Sequence, residues 1–179
     1  MPTRDDLLLL AAYNGSMNAK LYGAAATLSD EALMADRQAF FGSLFGTLTH
    51  LVNADIIWLK RFTAHRAQYA ALAAMDDIAK PPSLAHPLCA TLPELAAWRL
   101  RLDAVIAAWA AEVRDGDLDA PLDYVNARGA QRKRFGSVVL HFFNHQTHHR
   151  GQASTLLSQA GVDIGVTDLL ERIPTCGDS

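Results

Sequence analysis

Apolar residues recur at intervals of three and four positions along four long stretches of this sequence. On an α-helix this spacing gathers them on one face, which can then be buried against other helices. Alanine and leucine are abundant and β-branched residues are sparse, which also favours helices. The sequence therefore predicts an all-α fold, and the four stretches predict a four-helix bundle.

Residues that commonly cap helices mark the boundaries of the four helices. Thr3 and Ser137 are suitable N-caps, Pro93 suits the first turn of a helix, and Gly161 suits the position after a helix C-terminus. We predict helices over about residues 4–27, 42–64, 92–113 and 137–159.

The connections between these helices differ in kind. About 27 residues separate helices 2 and 3, including Pro81, Pro82 and Pro87, and a loop of that length is unusual in a compact bundle. It predicts a long crossover connection instead of a tight turn. Gly, Asp and Pro cluster over residues 115–135, where short segments flank a turn, and this predicts a small hairpin before helix 4.

Length and charge limit the class of protein. A chain of 179 residues suits a single domain over residues 1–179, and its net charge of −3 provides no basic field for nucleic acid. No apolar run approaches the roughly 20 residues that span a membrane, and the N-terminus lacks the basic region of a signal peptide. We expect a soluble, cytoplasmic protein.

The two cysteines, Cys89 and Cys176, are far apart and outside any CxxC spacing. This argues against both a disulfide framework and a thiolate zinc site. We interpret both as reduced bystanders, with a reactive thiol as the alternative.

Four of the seven histidines lie within nine residues, in the segment HFFNHQTHHRGQ. On an ideal helix His149 lies about 40° from His145, and both fall among Val138, Phe142 and Leu156. The i, i+4 spacing brings the two rings to one point on the helix surface. An unpaired buried ring nitrogen costs about 1–3 kcal/mol, and a shared metal ion removes that cost. The alternative is a pair of core histidines bonded to carbonyls or acids.

An open metal site takes three protein ligands, so the third must come from another helix. Candidates are His50 on helix 2, His65 at the end of that helix, His86 in the long connection, or a carboxylate. His50 lies about 110° from the centre of its helix's apolar stripe. The periodicity therefore allows His50 without selecting it.

Asp55 lies about 30° from the centre of the same apolar stripe, which is unusual for a carboxylate. We predict that it acts as a catalytic general base or as an acceptor that orients a ligand histidine. The alternative is a structural pair with an arginine, for which Arg150 is one candidate, or with a helix terminus.

A short basic run precedes helix 4. Its default interpretation is a solvated loop, and the alternative is an anion-binding rim. The run comprises Arg128, Arg132, Lys133 and Arg134.

Two segments carry a family resemblance. GSLFGTLTHLVNADIIWLKRF (residues 42–62) and HFFNHQTHHRGQASTLLSQAG (residues 141–161) resemble the two signature regions of the DinB family, and AAYNGSMNAKL resembles that family's first helix. The resemblance implies a divalent metal ion, zinc or nickel, held by one histidine of helix 2 and two of the last helix. On this chain those residues are His50, His145 and His149.

The resemblance also implies a four-helix bundle that forms a homodimer. It also implies transfer or isomerisation with a low-molecular-weight thiol. Together with an open metal site, this predicts a metal-dependent transferase, with or without a thiol, or a hydrolase that acts on a small molecule. No nucleic acid and no membrane is expected as a partner. The alternative function is a non-catalytic, metal-stabilised helical bundle or a stress-associated binding protein.

Overall fold

The computed structural model describes residues 2–175, and most of them are helical. The helices are α1 (Arg4–Ala25), α2 (Asp30–Met34), α3 (Leu44–Phe62), α4 (Leu92–Glu112), α5 (Asp115–Leu118) and α6 (Phe135–Gln159). Two antiparallel strands, β1 (Pro121–Asn126) and β2 (Gly129–Arg134), and two 3₁₀ segments, Ala70–Met75 and Leu169–Arg172, complete the described elements.

The four long helices pack side by side in the cyclic order α1, α4, α3, α6. The prediction of a helical fold built on four long helices is confirmed. The short helices α2 and α5, the 3₁₀ segments and the hairpin are additions, so the molecule is not an exact four-helix bundle. No helix among residues 2–175 combines the length and the apolar character that crossing a membrane requires.

Most helix ends follow local capping chemistry, but the prediction of Ser137 as an N-cap is wrong: α6 begins at Phe135, directly after β2, and has no side-chain cap. The Thr3 side chain caps α1 as predicted, and Thr91 caps α4 in the same way. α3 begins two residues later than predicted, because the Ser43 side chain accepts a hydrogen bond from the Gly46 amide and fixes the start there. Gly161 follows α6 with φ of +80°, which confirms the predicted end.

The connection between α3 and α4 is a crossover, as predicted. Asp55 pairs with Arg99 and Phe62 stacks on Trp109, so contacts advance in the same direction along both helices and the helices run parallel. The prediction missed the 3₁₀ segment Ala70–Met75, which packs against α3 and α4. Because the connection covers the outer side of α3, 15 of the 19 residues of that helix are buried.

The predicted hairpin is confirmed, and its strands are longer than the sequence suggested. Leu122 is buried and Tyr124 and Asn126 are half-buried, so this side of β1 faces the helices. In the register of the sheet Lys133 lies opposite Leu122, which puts it on the same side.

An aromatic cluster fills the centre of the bundle at the end of α3. Trp109 is fully buried, and its ring centre lies 5.0 Å from that of Phe62, 6.2 Å from that of Phe135 and 6.3 Å from that of Phe142. Residues from α3, α4 and α6 therefore meet around one side chain.

Truncation of this side chain tests the packing. We expect Trp109→Ala to lower the free energy of unfolding by about 3–5 kcal/mol, because it leaves a cavity among three aromatic rings. Leu100→Ala on the same helix is the control, since Leu100 is 73% exposed and such changes stay within about 0.5 kcal/mol. Urea denaturation measures both. Equal losses in the two variants would contradict this description of the core.

Candidate metal centre

His50 lies in the first half of α3 with only 2% of its surface exposed. The Phe41 ring stacks on its imidazole, with ring centres 3.9 Å apart, and the Leu84 carbonyl oxygen lies 3.4 Å from His50 Nδ1. The Asn53 side chain donates to the carbonyls of Leu84 and His86 at 3.4 and 2.8 Å. The long connection is thus held over His50, which explains its burial at the shoulder of the helix's apolar stripe.

His145 and His149 lie one turn apart on α6, and both are half-buried. Their ring centres are 4.3 Å apart, and the His149 ring lies 4.3 Å from that of His50. The Nε2 atoms of His145 and His50 are 3.2 Å apart. The predicted i, i+4 pair therefore converges on a histidine of the neighbouring helix.

The three rings fit a metal ion. One ligand nitrogen from each residue can be chosen so that all lie within 4.8 Å of one another. Nitrogen ligands at about 2.0–2.1 Å from a tetrahedral zinc ion lie about 3.3 Å apart, close to the separation of the His50 and His145 nitrogens. Small side-chain rotations would bring the third ligand nitrogen to the same separation. Among residues 2–175 no fourth His, Cys, Asp or Glu joins the group.

The electrostatics keep these imidazoles neutral. Burial, reinforced by the neighbouring His149, lowers the pKa of His50 to about 4, while the contact with the Leu84 carbonyl acts in the opposite sense. Burial and the adjacent histidines lower the pKa of His145 to about 3. Burial also lowers the pKa of His149, against the effect of Gln152. At neutral pH each ring therefore has a lone pair available for a cation.

Two hydrogen-bond acceptors set the tautomers of His50 and His149. The Leu84 carbonyl can only accept, so His50 Nδ1 carries the proton and its Nε2 has the lone pair. The Gln152 Oε1 lies 2.7 Å from His149 Nδ1 and has the same effect on that ring. Outer acceptors of this kind orient the histidine ligands of metal sites. In both residues the free lone pair is on Nε2.

The other histidine candidates lie elsewhere. His65 is 1% exposed, stacks on Phe135 with ring centres 4.2 Å apart, and accepts a hydrogen bond from the Ala67 amide at Nδ1. His86 contributes its carbonyl to Asn53 but does not join the three-histidine group. The structure therefore selects His50, a choice that periodicity left open.

Sequence reasoning missed the residues that hold His50. Asn53 had a signal, because it is a polar residue inside an otherwise apolar segment of α3. Phe41 and Leu84 had none, since they lie outside the long helices and reach His50 only through the fold.

Asp55 is 1% exposed and forms an ion pair with Arg99, whose Nη1 lies 2.6 Å from Asp55 Oδ2. Its other oxygen accepts a hydrogen bond from Gln146. Burial raises the pKa of Asp55 to about 6, and Arg99 acts against that rise. Asp55 has no hydrogen bond to the three histidines, so its predicted role as a base stays a prediction.

The ion pair extends into a polar network between the helices. Arg99 also pairs with Asp103 at 3.0 Å, and Asn18 donates to the same carboxylate at 2.8 Å. On α6 the Arg150 side chain donates to Asn14. Gln146 and Arg150 directly follow His145 and His149, so each of these two histidines is followed by a buried side chain that anchors α6.

Cys89 is half-buried, and burial raises the pKa of its thiol. This favours the bystander interpretation, because the thiolate is the reactive form. Cys176 lies outside the described residues.

The fold and the site together define a helical-bundle protein with a candidate three-histidine metal centre between two antiparallel helices. The family model of the DinB family matches residues 1–175, and this chain belongs to that family.

One curated relative is similar over most of its length. Protein DinB of Bacillus subtilis (strain 168) is 24% identical over 157 residues, which cover 87% of this chain and 87% of the relative. No solved structure gives a significant match.

Removal of single imidazoles tests the ligand set. We expect each of the variants His50→Ala, His145→Ala and His149→Ala to bind zinc much more weakly. The loss should exceed the roughly 10–100-fold that follows removal of a residue that only hydrogen-bonds to a metal ligand. His148→Ala is the matched control, because His148 is an exposed neighbour of His149 that lies outside the group. Competition with a chromophoric chelator on untagged protein measures the affinities. Full metal content in His149→Ala would rule out this ligand set.

Proposed function

We propose that this member of the DinB family is a metal-dependent enzyme that acts on a small molecule, as a transferase with a low-molecular-weight thiol or as a hydrolase. The observation that supports it best is an incomplete set of ligands. Three neutral imidazoles converge, two of them half-exposed, and no fourth protein ligand joins them among residues 2–175. Closed structural zinc sites have four protein ligands, whereas catalytic sites keep a position open.

The protein's own residues would bind the ion and shape access to it. His50, His145 and His149 would hold it, and Phe41 and the connection at Leu84 cover the His50 side. The half-exposed rings leave the other side accessible to a substrate. A bound divalent ion supplies Lewis acidity, which lowers the pKa of a coordinated thiol or water so that it can act as a nucleophile at neutral pH.

Zinc or nickel is the proposed ion. Neutral imidazoles suit either metal, and the family resemblance supports the same choice. We further propose a cytoplasmic homodimer without nucleic acid as a partner. The resemblance supports the dimer, and the net charge of −3 supports the lack of a nucleic-acid partner.

Activity should depend on the ion. We expect metal-loaded protein to accelerate transfer of a low-molecular-weight thiol to monobromobimane by about 10²-fold or more over the chelated protein, because Lewis-acid stabilisation contributes several kcal/mol. A nitrophenyl ester without thiol tests the hydrolase form. Fluorescence and absorbance record the two rates.

The controls separate catalysis from metal-dependent stability. His149→Ala should lose the acceleration, and His148→Ala should keep it. If chelation lowers the melting temperature but changes neither rate, the ion is structural and the alternative of a non-catalytic bundle is correct.

Asp55 is the proposed accessory residue, either as a base or as a positioning residue that ties α3 to α6 through Gln146. The ion pair favours positioning. We expect Asp55→Asn to lower the free energy of unfolding by about 3–5 kcal/mol, because the Arg99 charge stays buried without its partner. The rate per bound metal ion should stay within a few-fold of that of the unchanged protein.

Arg99→Gln is the matched control, because it removes the cation of the same ion pair and keeps the Asp55 carboxylate. A base would instead reveal itself as a loss of about 10²–10⁴-fold in rate per bound metal ion in Asp55→Asn. The same loss should then be absent from Arg99→Gln.

A further inference from the structure

A cavity lies beside the candidate metal centre, and one of its lining residues, His141, precedes the ligand His145 by one turn of α6. It has a volume of about 340 Å³ and lies where the hairpin covers the helices α3 and α6. We propose that this cavity binds the carboxylate end of a small organic anion, whose other end reaches the metal centre. The inference rests on the proposed function and names its substrate class. Its main lining residues are Trp58, Arg61, Tyr124, Asn126, Lys133 and His141.

The cavity is close to the candidate metal centre. Trp58 and Arg61 follow His50 on α3, and His141 precedes His145 by one turn on α6. The His141 ring centre lies 6.1 Å from that of His145 and 5.2 Å from that of Trp58. The cavity residues of the two helices lie about 6–17 Å along the helix axes from the nearest histidine ligand on the same helix, at 1.5 Å per residue. These separations match the length of an elongated small molecule with one end at the cavity and the other at the ion.

The charge of the cavity is positive and uncompensated. Arg61 and Lys133 line it, and no carboxylate among residues 2–175 lies within ion-pairing distance of either. In the same basic run Arg132 and Arg134 are paired with Asp123 and Asp119. Lys133 thus differs from its neighbours in being directed to the helix side of the hairpin without a partner.

Aromatic rings hold Arg61 in place. Its guanidinium carbon lies 4.5 Å from the Trp58 ring centre and 4.9 Å from that of Tyr124, which are cation–π distances. The Arg61 side chain makes no hydrogen bond within the described residues, and its Nε is buried without a partner. A stacked guanidinium loses little rotamer freedom when it binds, and its planar donors match a carboxylate.

The hairpin supplies the other wall. Tyr124 and Asn126 share the helix-facing side of β1, and Lys133 lies on that side of β2. A small volume, two cations and apolar ring surfaces together suit a small carboxylic acid with a planar or apolar body. This gives the hairpin a role in substrate binding.

Direct binding of a model acid tests the proposal. We expect benzoate to bind metal-free protein and to shift the Trp58 indole NMR signal, which is assigned by its loss in Trp58→Phe. Arg61→Met should weaken the binding by about tenfold or more, equivalent to 1.4 kcal/mol. Lys133→Met should also weaken it, and this change on an exposed strand leaves the core intact.

The controls are matched in charge and shape. Arg132→Met removes one charge from the outer side of the same hairpin, so benzoate affinity should stay within about twofold of that of the unchanged protein. If benzoate responded only to the overall positive charge, this variant would weaken binding as much as Lys133→Met. Benzamide, which has the shape of benzoate without its charge, should bind at least tenfold more weakly. Equal affinity for benzamide, an equal loss in Arg132→Met, or no benzoate binding would overturn the proposal. Tighter binding of phenyl phosphate than of benzoate would overturn the choice of carboxylate.

The cavity proposal and the proposed enzyme function can fail separately. If benzoate binds the metal-free protein through Arg61 but no metal-dependent activity is found, the cavity is an anion site and the proposed enzyme function fails. If the protein is active but Arg61→Met binds benzoate normally, the enzyme function stands and the cavity proposal fails.

Discussion

The arrangement of this molecule depends on the contact between α3 and α6 at the three histidines. His50 and His145 place their Nε2 atoms 3.2 Å apart in surroundings that strongly favour the neutral imidazole. When each ring carries its proton on Nδ1, both Nε2 lone pairs are directed at the same space, where one cation can bind both.

The surrounding structure keeps that contact in register. Gln146 and Arg150 follow the two α6 histidines and bond to Asp55 and to Asn14, so α6 is tied to α3 and α1 next to the ligands. On the other side Asn53 holds the long connection over His50. Precise ligand geometry usually requires such support, because a site displaced by about 1 Å loses much of its function.

Sequence periodicity predicted the four long helices, the convergence of His145 and His149, and the caps at Thr3 and Gly161, because these depend on neighbours within a few residues. It could not select His50, whose burial comes from a connection more than 30 residues further along the chain. For Asp55 the sequence predicted an arginine or a helix terminus as the structural partner, and the arginine it suggested, Arg150, bonds to Asn14 instead. Arg99 is 44 residues away, and a helical pattern contains no information on such pairs.

X-ray absorption at the zinc edge of untagged, zinc-loaded protein tests the central claim most directly. We expect imidazole scattering from three nitrogen ligands at about 2.0–2.1 Å, with an additional light atom that is not from the protein. Sulfur scattering, or a spectrum with fewer than two imidazoles, would contradict it.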